Sequence, residues 1–134
     1  MPVEVQELGR AVRQAHHRQH RALDARLAAV GTTPAQWDGL RAIGRSPGAS
    51  ARALAAVTFQ SEQAFGTLAG RLAAQGLIDR RPGPHRSVGH HLTPAGEKLL
   101  VAGRRVVEEV LAELFAPLAE DDRATLLTLL LRLS

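Results

Sequence analysis

Apolar side chains in the first thirty residues recur at steps of three or four positions. The series is interrupted once, at Gln19, and it stops at Gly31. Such spacing places the apolar side chains on one face of a helix and leaves Arg and Gln side chains on the opposite face. The pattern therefore predicts a long amphipathic helix over residues 5–30, with an apolar face formed by Leu8, Val12, Ala15, Leu23, Leu27 and Val30.

Capping signals predict three shorter helices between residues 33 and 76. Each begins after a residue that caps a helix well or ends at a glycine or proline signal. The first of them begins at Thr33-Pro34, holds Trp37, Leu40 and Ile43, and stops at Ser46-Pro47-Gly48. The second covers residues 51–57 and is capped by Ser50. The third follows a turn at residues 58–60, covers residues 61–75, directs Phe65, Leu68 and Leu72 inward and is closed by Gly76.

The pattern changes from helix to strand after Gly76. Residues 77–81 and 88–92 are short strand candidates, and Pro82-Gly83-Pro84 between them predicts a tip without regular structure. Two strands joined in this way form a β-hairpin at the edge of a helical domain.

The last two predicted helices are more apolar than one packing partner requires. They cover residues 95–115, after Thr93-Pro94, and residues 120–133, where six of the eight residues from Leu126 to Leu133 are Leu. A surface helix of a monomer needs one apolar stripe. The helix over residues 95–115 has two, formed by Leu99, Val106, Val110 and Leu114 and by Leu100, Val107 and Leu111.

Burial of these helices from two sides is easiest in a symmetric homodimer, with a well-buried monomeric bundle as the alternative. The elements together predict a mainly α fold with a small β-hairpin wing, in a single domain over residues 1–134. A winged helix-turn-helix occupies residues 33–94, and dimerisation helices lie at residues 1–32 and 95–134.

The excess of positive over negative charge is largest in the middle of the chain. The net charge is +4, and residues 45–92 carry six Arg against two acidic residues. This segment is therefore the one expected to meet an anionic partner. The absence of Cys excludes disulfides and thiolate metal sites, and no apolar run approaches the roughly 18 residues of a membrane span. No membrane partner and a cytoplasmic location are expected.

The helix over residues 61–75 has the chemistry of a DNA recognition helix. In a helix-turn-helix, the second helix enters the major groove and its N-terminal residues face the base edges. Gln pairs with adenine, Ser and Thr bond bases or phosphates, and Ala contacts the methyl group of thymine. The predicted DNA-binding residues of this helix are Gln60, Ser61, Gln63, Ala64, Thr67 and Arg71. Gly66 and Gly70 lie on the same helix and have two interpretations. They permit close approach of another backbone or of DNA, or they pack against a neighbouring helix.

The hairpin adds a second group of candidate DNA contacts. Arg80, Arg81 and Arg86 lie on it, with His85 near its tip. Guanidinium groups on a projecting loop suit phosphate contact or the narrow minor groove. In isolation a solvated charged loop would explain them, but the preceding helix-turn-helix favours a DNA-binding wing.

Four motifs along the chain resemble the MarR family of bacterial regulators: Thr33-Pro34-Ala35-Gln36-Trp37, residues 58–61, residues 72–82, and residues 92–96. The resemblance implies a homodimer whose first and last helices interlock and which binds a pseudo-palindromic operator through its winged helix-turn-helix. It implies a repressor that a small molecule releases. The family's wing commonly carries an Asp that orients an Arg, whereas residues 84–87 here contain one Arg and no Asp.

His16 and His20 stand four residues apart on the first predicted helix, a spacing found in zinc sites on helices. Interfacial histidines bonded to polar groups are the commoner outcome, and no metal or cofactor is predicted. With Trp37, these two residues are instead a candidate pocket for a phenolic or acidic effector, in the place where the family holds ligands.

Two other classes of function compete with DNA binding. An enzyme is disfavoured because Cys and Tyr are absent, no Ser lies in a nucleophile motif and no pair of carboxylates faces inward. A winged-helix protein-interaction module is the stronger alternative. Such a module would not need a basic hairpin beside Gln and Ser at a helix N-terminus.

Overall fold

A computed structural model describes all residues from Met1 to Ser134. It consists of six α-helices and one antiparallel hairpin, the mainly α architecture with a small hairpin that the sequence predicts. The elements are α1 (Val5–Ala28), α2 (Pro34–Arg45), α3 (Ala51–Val57), α4 (Glu62–Ala74), β1 (Ile78–Pro82), β2 (Val88–Leu92), α5 (Pro94–Phe115) and α6 (Glu120–Leu131). None of the helices has both the length and the apolar character needed to cross a membrane.

Side-chain caps fix the start of four consecutive helices. The hydroxyl of each capping residue accepts a hydrogen bond from the backbone N–H three residues later, which satisfies a donor that the helix itself leaves free. These caps confirm the predicted helix starts; they are Thr33 on α2, Ser50 on α3, Ser61 on α4 and Thr93 on α5.

Gly76 closes α4 and turns the chain into the hairpin. Its φ is +75°, a region that glycine enters without steric cost. The N–H of Leu77 donates to the carbonyl of Leu72, and the N–H of Gly76 donates to the carbonyl of Ala73, both at 3.0 Å. These two bonds form a Schellman motif and confirm the predicted C-cap.

The tip of the hairpin is more regular than the sequence predicts. Pro82 is the last residue of β1 and pairs with Val88, and a 3₁₀ turn covers Pro84–Arg86. The prediction of an irregular segment was wrong because Pro82 lies at the end of a two-stranded sheet, where proline is tolerated. In this turn His85 and Arg86 have φ values of 55° and 64°, which residues other than glycine rarely adopt.

A core of twelve buried residues lies within the segment that runs from α2 to the start of α5. Phe65 and Leu72 of α4 are fully buried in it, together with Leu40 and Ile43 of α2. The predicted inward face of α4 is confirmed. This core holds α4 and the base of the hairpin in one rigid body, so that their outer surfaces have a fixed relation.

Outside this core, the first and last helices leave apolar side chains exposed. Leu27 is the one buried residue of α1, and α6 has none. On α5, Leu100, Val107 and Val110 are buried within the chain. The exposed apolar side chains of α1 and of the α6 segment include Val5, Leu8, Val12, Leu127, Leu129, Leu130, Leu131 and Leu133.

Candidate nucleic-acid interface

The turn between α3 and α4 is held together by polar side chains. Thr58 is buried, and its hydroxyl donates to the carbonyl of Leu54 at 2.7 Å. The amide Nε2 of Gln60 donates to that hydroxyl oxygen at 3.0 Å. Gln60 is therefore half-buried in the turn, and of the predicted recognition residues it has the least freedom to reach a base.

Phe59, in the same turn, is a residue that sequence reasoning missed. Its φ is +59° and its side chain is 94% exposed. A bulky residue in this region of φ is unusual and costs about 1–2 kcal/mol. The turn predicted at residues 58–60 contains no Gly or Asn, the residues that adopt a positive φ most readily, so the local sequence contains no signal for Phe59.

The exposed face of α4 carries the other predicted recognition residues of this helix. Ser61 precedes the helix, and Gln63, Ala64, Thr67 and Arg71 lie along one side of it, all exposed. The hydroxyl of Ser61 accepts from the N–H of Ala64 at 3.0 Å, and its own proton stays available. The hydroxyl of Thr67 donates to the carbonyl of Gln63 at 3.2 Å. Polar side chains over two helical turns thus face the solvent opposite the buried face.

The two Arg residues of β1 lie on opposite faces of the hairpin. Arg80 shares the face of Ile78, which is buried, and of its cross-strand partner His90, whose ring meets that of Phe65 on α4 at 5.8 Å. Arg81 shares the other face with Asp79, and their charged groups are 3.7 Å apart. The alternation of a strand produces this arrangement.

Arg80 extends from the hairpin to the recognition helix. Its Nη2 donates to the backbone carbonyl of Gly66 at 3.0 Å. A Cβ on Gly70 would lie 3.5 Å from the same nitrogen, whereas a Cβ on Gly66 would meet nothing within 4 Å. The close neighbour of these glycines is therefore the Arg80 side chain, and neither a backbone nor a neighbouring helix approaches them.

Arg81 and Arg86 lie farther from α4. Arg81 lines a cavity of about 210 Å³ at the base of the hairpin, together with His91 and Glu97. Arg86 is exposed at the tip and forms no ion pair within the chain. The structure thus brings Ser61, Gln63, Ala64, Thr67, Arg71 and Arg80 to one side, places Arg81 on the opposite face of the hairpin and Arg86 at its end.

The three candidate effector residues do not form a closed pocket. His16 and His20 are exposed on α1 with their ring centroids 6.3 Å apart. Trp37 packs against Gly103 of α5, and its indole N–H donates to the carbonyl of Leu100 at 3.1 Å. The indole makes no ring contact with either imidazole. The structure gathers no group of three or more potential metal ligands.

A model of the MarR family matches residues 30–86 of the chain, which include α2, α3, α4 and β1. A probable transcriptional regulator from Pseudomonas aeruginosa is 30% identical in sequence, with a TM-score of 0.86. The match covers 94% of this chain and 96% of that protein.

Two further structures cover nearly the whole chain at 26% identity. One is a MarR variant from E. coli complexed with operator DNA, with a TM-score of 0.90 over 96% of this chain and 94% of that one. The other is a MarR family protein from Mycobacterium tuberculosis complexed with salicylic acid, with a TM-score of 0.76 over 95% and 96%. No curated protein sequence matches the chain.

Proposed function

The chain belongs to the MarR family, and from this membership we propose that it is a sequence-specific DNA-binding repressor without catalytic activity. The observation that carries the proposal is the exposed polar face of α4, held on a rigid core beside a hairpin that carries three Arg side chains. The E. coli relative, whose structure was solved with operator DNA, has the same fold over nearly its whole length.

The residues of this surface divide into base contacts and phosphate contacts. Gln63, Ala64 and Thr67 face outward at the N-terminal half of α4, where a recognition helix meets base edges. Ser61 and Arg71, at the two ends of this face, suit phosphates. Gln60 supports the turn from which this face begins. Arg80, Arg81 and Arg86 belong to the wing. Arg81 and Arg86 are free to contact the DNA backbone or the minor groove beside the major-groove site, while Arg80 lies between the wing and α4.

We place the dimer interface on residues 1–32 and 95–134. In the isolated chain these helices expose Leu and Val side chains that a second copy would cover around a two-fold axis. Two recognition helices related in this way suit a pseudo-palindromic operator with half-sites about 34–36 Å apart. The charge of the C-terminal segment supports this division, since residues 93–134 carry seven acidic and five basic residues and are poorly suited to phosphate contact.

A phenolic or acidic effector is the second part of the proposal. The relative from Mycobacterium tuberculosis was solved with salicylic acid. On this chain, His16 and His20 offer exposed ring nitrogens on α1, and Trp37 of α2 packs against α5. Titration with salicylate should change Trp37 fluorescence and release bound DNA. An unchanged signal across a panel of phenolic acids would remove the effector from the proposal.

The main test is a fluorescence-anisotropy titration against the DNA upstream of the protein's own gene and against a scrambled duplex, at two salt concentrations. We expect tighter binding to the upstream DNA, saturation at two chains per site, and a salt dependence of about 0.9 per phosphate contacted. Equal and weak binding to both duplexes would refute specific recognition of this DNA. No binding to either would favour the alternative, a protein-interaction module.

A further inference from the structure

The carbonyl of Gly66 accepts a second hydrogen bond, and its donor comes from outside α4. Within α4 this oxygen receives the N–H of Gly70, four residues later. Arg80 donates to it as well, from a strand fourteen residues away in sequence. A guanidinium can add this second bond only if it reaches the side of the helix next to the carbonyl.

The lack of a side chain at position 70 creates that access. A helical side chain tilts toward the N-terminus and covers the turn before its own Cα. A side chain at position 70 would therefore lie over the Gly66 carbonyl. A methyl group there would stand 3.5 Å from Arg80 Nη2, an ordinary contact, whereas a longer side chain would occupy the space of the guanidinium.

The position of Arg80 on β1 gives this bond a mechanical consequence. At the base of the hairpin, Leu77 and Ile78 are buried in the core. Beyond Arg80, Arg81 and Arg86 form no bond to α4, and the residues of the tip are exposed. Arg80 is thus the outermost link between β1 and the recognition helix. Backbone hydrogen bonds between His90 and residues 48 and 49 hold β2 from the other side, at 2.8 and 3.2 Å. A two-stranded hairpin has little stability of its own in water, so the angle of β1 to α4 depends on the link through Arg80.

We propose that Arg80 is a positioning residue that joins the wing to the recognition helix, with Gly70 as the opening that lets its guanidinium reach the Gly66 carbonyl. This inference rests on the proposed DNA binding for its functional consequence. Its structural consequence, a hairpin held at a set angle to α4, exists in the free protein and is tested there first.

The test uses three single variants and one double variant. Gly70→Leu blocks the opening without changing any charge, and Gly70→Ala is its matched control because a methyl group fits. Arg80→Ala removes the bond and one charge. The double variant combines Gly70→Leu with Arg80→Ala and shows whether both substitutions act through the same bond.

Hydrogen exchange of the amides of β1 and β2 in the free protein is the first measurement. We expect faster exchange in Gly70→Leu and in Arg80→Ala, while Gly70→Ala exchanges like the unchanged protein. Normal exchange in both of the first two variants would overturn the proposal, whatever the protein binds. This result is independent of whether DNA binding itself is found.

DNA affinity is the second measurement, once the unchanged protein is known to bind. Loss of one net hydrogen bond in each of the two subunits predicts a roughly five- to 150-fold weaker affinity for Gly70→Leu and for Arg80→Ala. The double variant should be no weaker than Arg80→Ala alone. Additive losses would contradict a shared mechanism and would indicate that Arg80 contacts DNA directly while Leu at position 70 obstructs the groove.

Discussion

Replacing Gly103 by alanine tests the contact that joins the DNA-binding part of the chain to α5. Gly103 is buried beneath the indole of Trp37, and a Cβ added to it would stand 2.6 Å from Trp37 Nε1. This is closer than atoms of these types approach, and the nearby indole ring is rigid. The substitution must therefore move α2 away from α5 or rotate the indole.

The expected loss of stability is the sum of three effects of known size. Overpacking a buried site costs about 1–3 kcal/mol. Displacing the indole weakens its 3.1 Å bond to the Leu100 carbonyl, a further loss of about 1 kcal/mol. Alanine regains about 1 kcal/mol over glycine in a helix interior. Gly103→Ala should therefore destabilise the fold by about 1–3 kcal/mol.

Thermal unfolding followed by circular dichroism, at one fixed protein concentration, measures this loss. Gly66→Ala is the matched control, because it makes the same substitution inside a helix where a Cβ meets nothing within 4 Å. The control should gain up to about 1 kcal/mol. Trp37 fluorescence should shift in Gly103→Ala alone. If both variants melted at the same temperature with the same emission, the close contact between α2 and α5 would not exist in solution.

Three further changes test other parts of the structure. Phe59→Gly should raise the free energy of unfolding by about 0.5–1 kcal/mol, because it relieves a positive φ at a residue that is 94% exposed. A lower free energy of unfolding in denaturant titration would show instead that the phenyl ring is buried in solution. Arg86→Ala should lower the salt slope of DNA binding by about 1.8 for a dimer with two wings, while Arg132→Ala leaves it unchanged. Leu130→Glu should convert a dimer into monomers in size-exclusion chromatography. Val57→Glu, at a similarly exposed apolar position on α3, should not, and dissociation in both would contradict the assigned interface.

The helices could be predicted well because their signals are local. A cap such as Ser50 or Thr93 and a terminator such as Gly76 act within a few residues, and the structure contains the hydrogen bonds they imply. The excess of apolar side chains on α6 was also visible in the sequence, because periodicity alone shows when one buried face is not enough. The tip of the hairpin was predicted less well, since proline excludes a backbone donor but does not exclude the end of an edge strand.

The roles of two site residues depended on side-chain contacts that residue spacing does not show. Gln60 was placed with the recognition helix, but its amide is used inside the turn because Thr58 is buried beside it. Trp37 was assigned to a ligand pocket, but α5 supplies Gly103 beneath the indole and a carbonyl for its N–H. The partners of Trp37 lie more than sixty residues away in sequence, whereas the partner of Gln60 is two residues away and its burial is what the sequence does not show.

Strand alternation alone predicts that the adjacent residues Arg80 and Arg81 lie on opposite faces of β1. Ile78 is an apolar residue at the base of the strand, and a residue two positions later shares its face. Strand alternation therefore requires Arg80 to face the helical core, and it requires Arg81 to face away from the core together with Asp79. Which helix Arg80 would meet could not be inferred, because that depends on the packing of the hairpin against Phe65 through His90. Two neighbouring guanidinium groups that look equivalent in the sequence are consequently expected to act differently, one by holding the wing and the other by presenting charge from it.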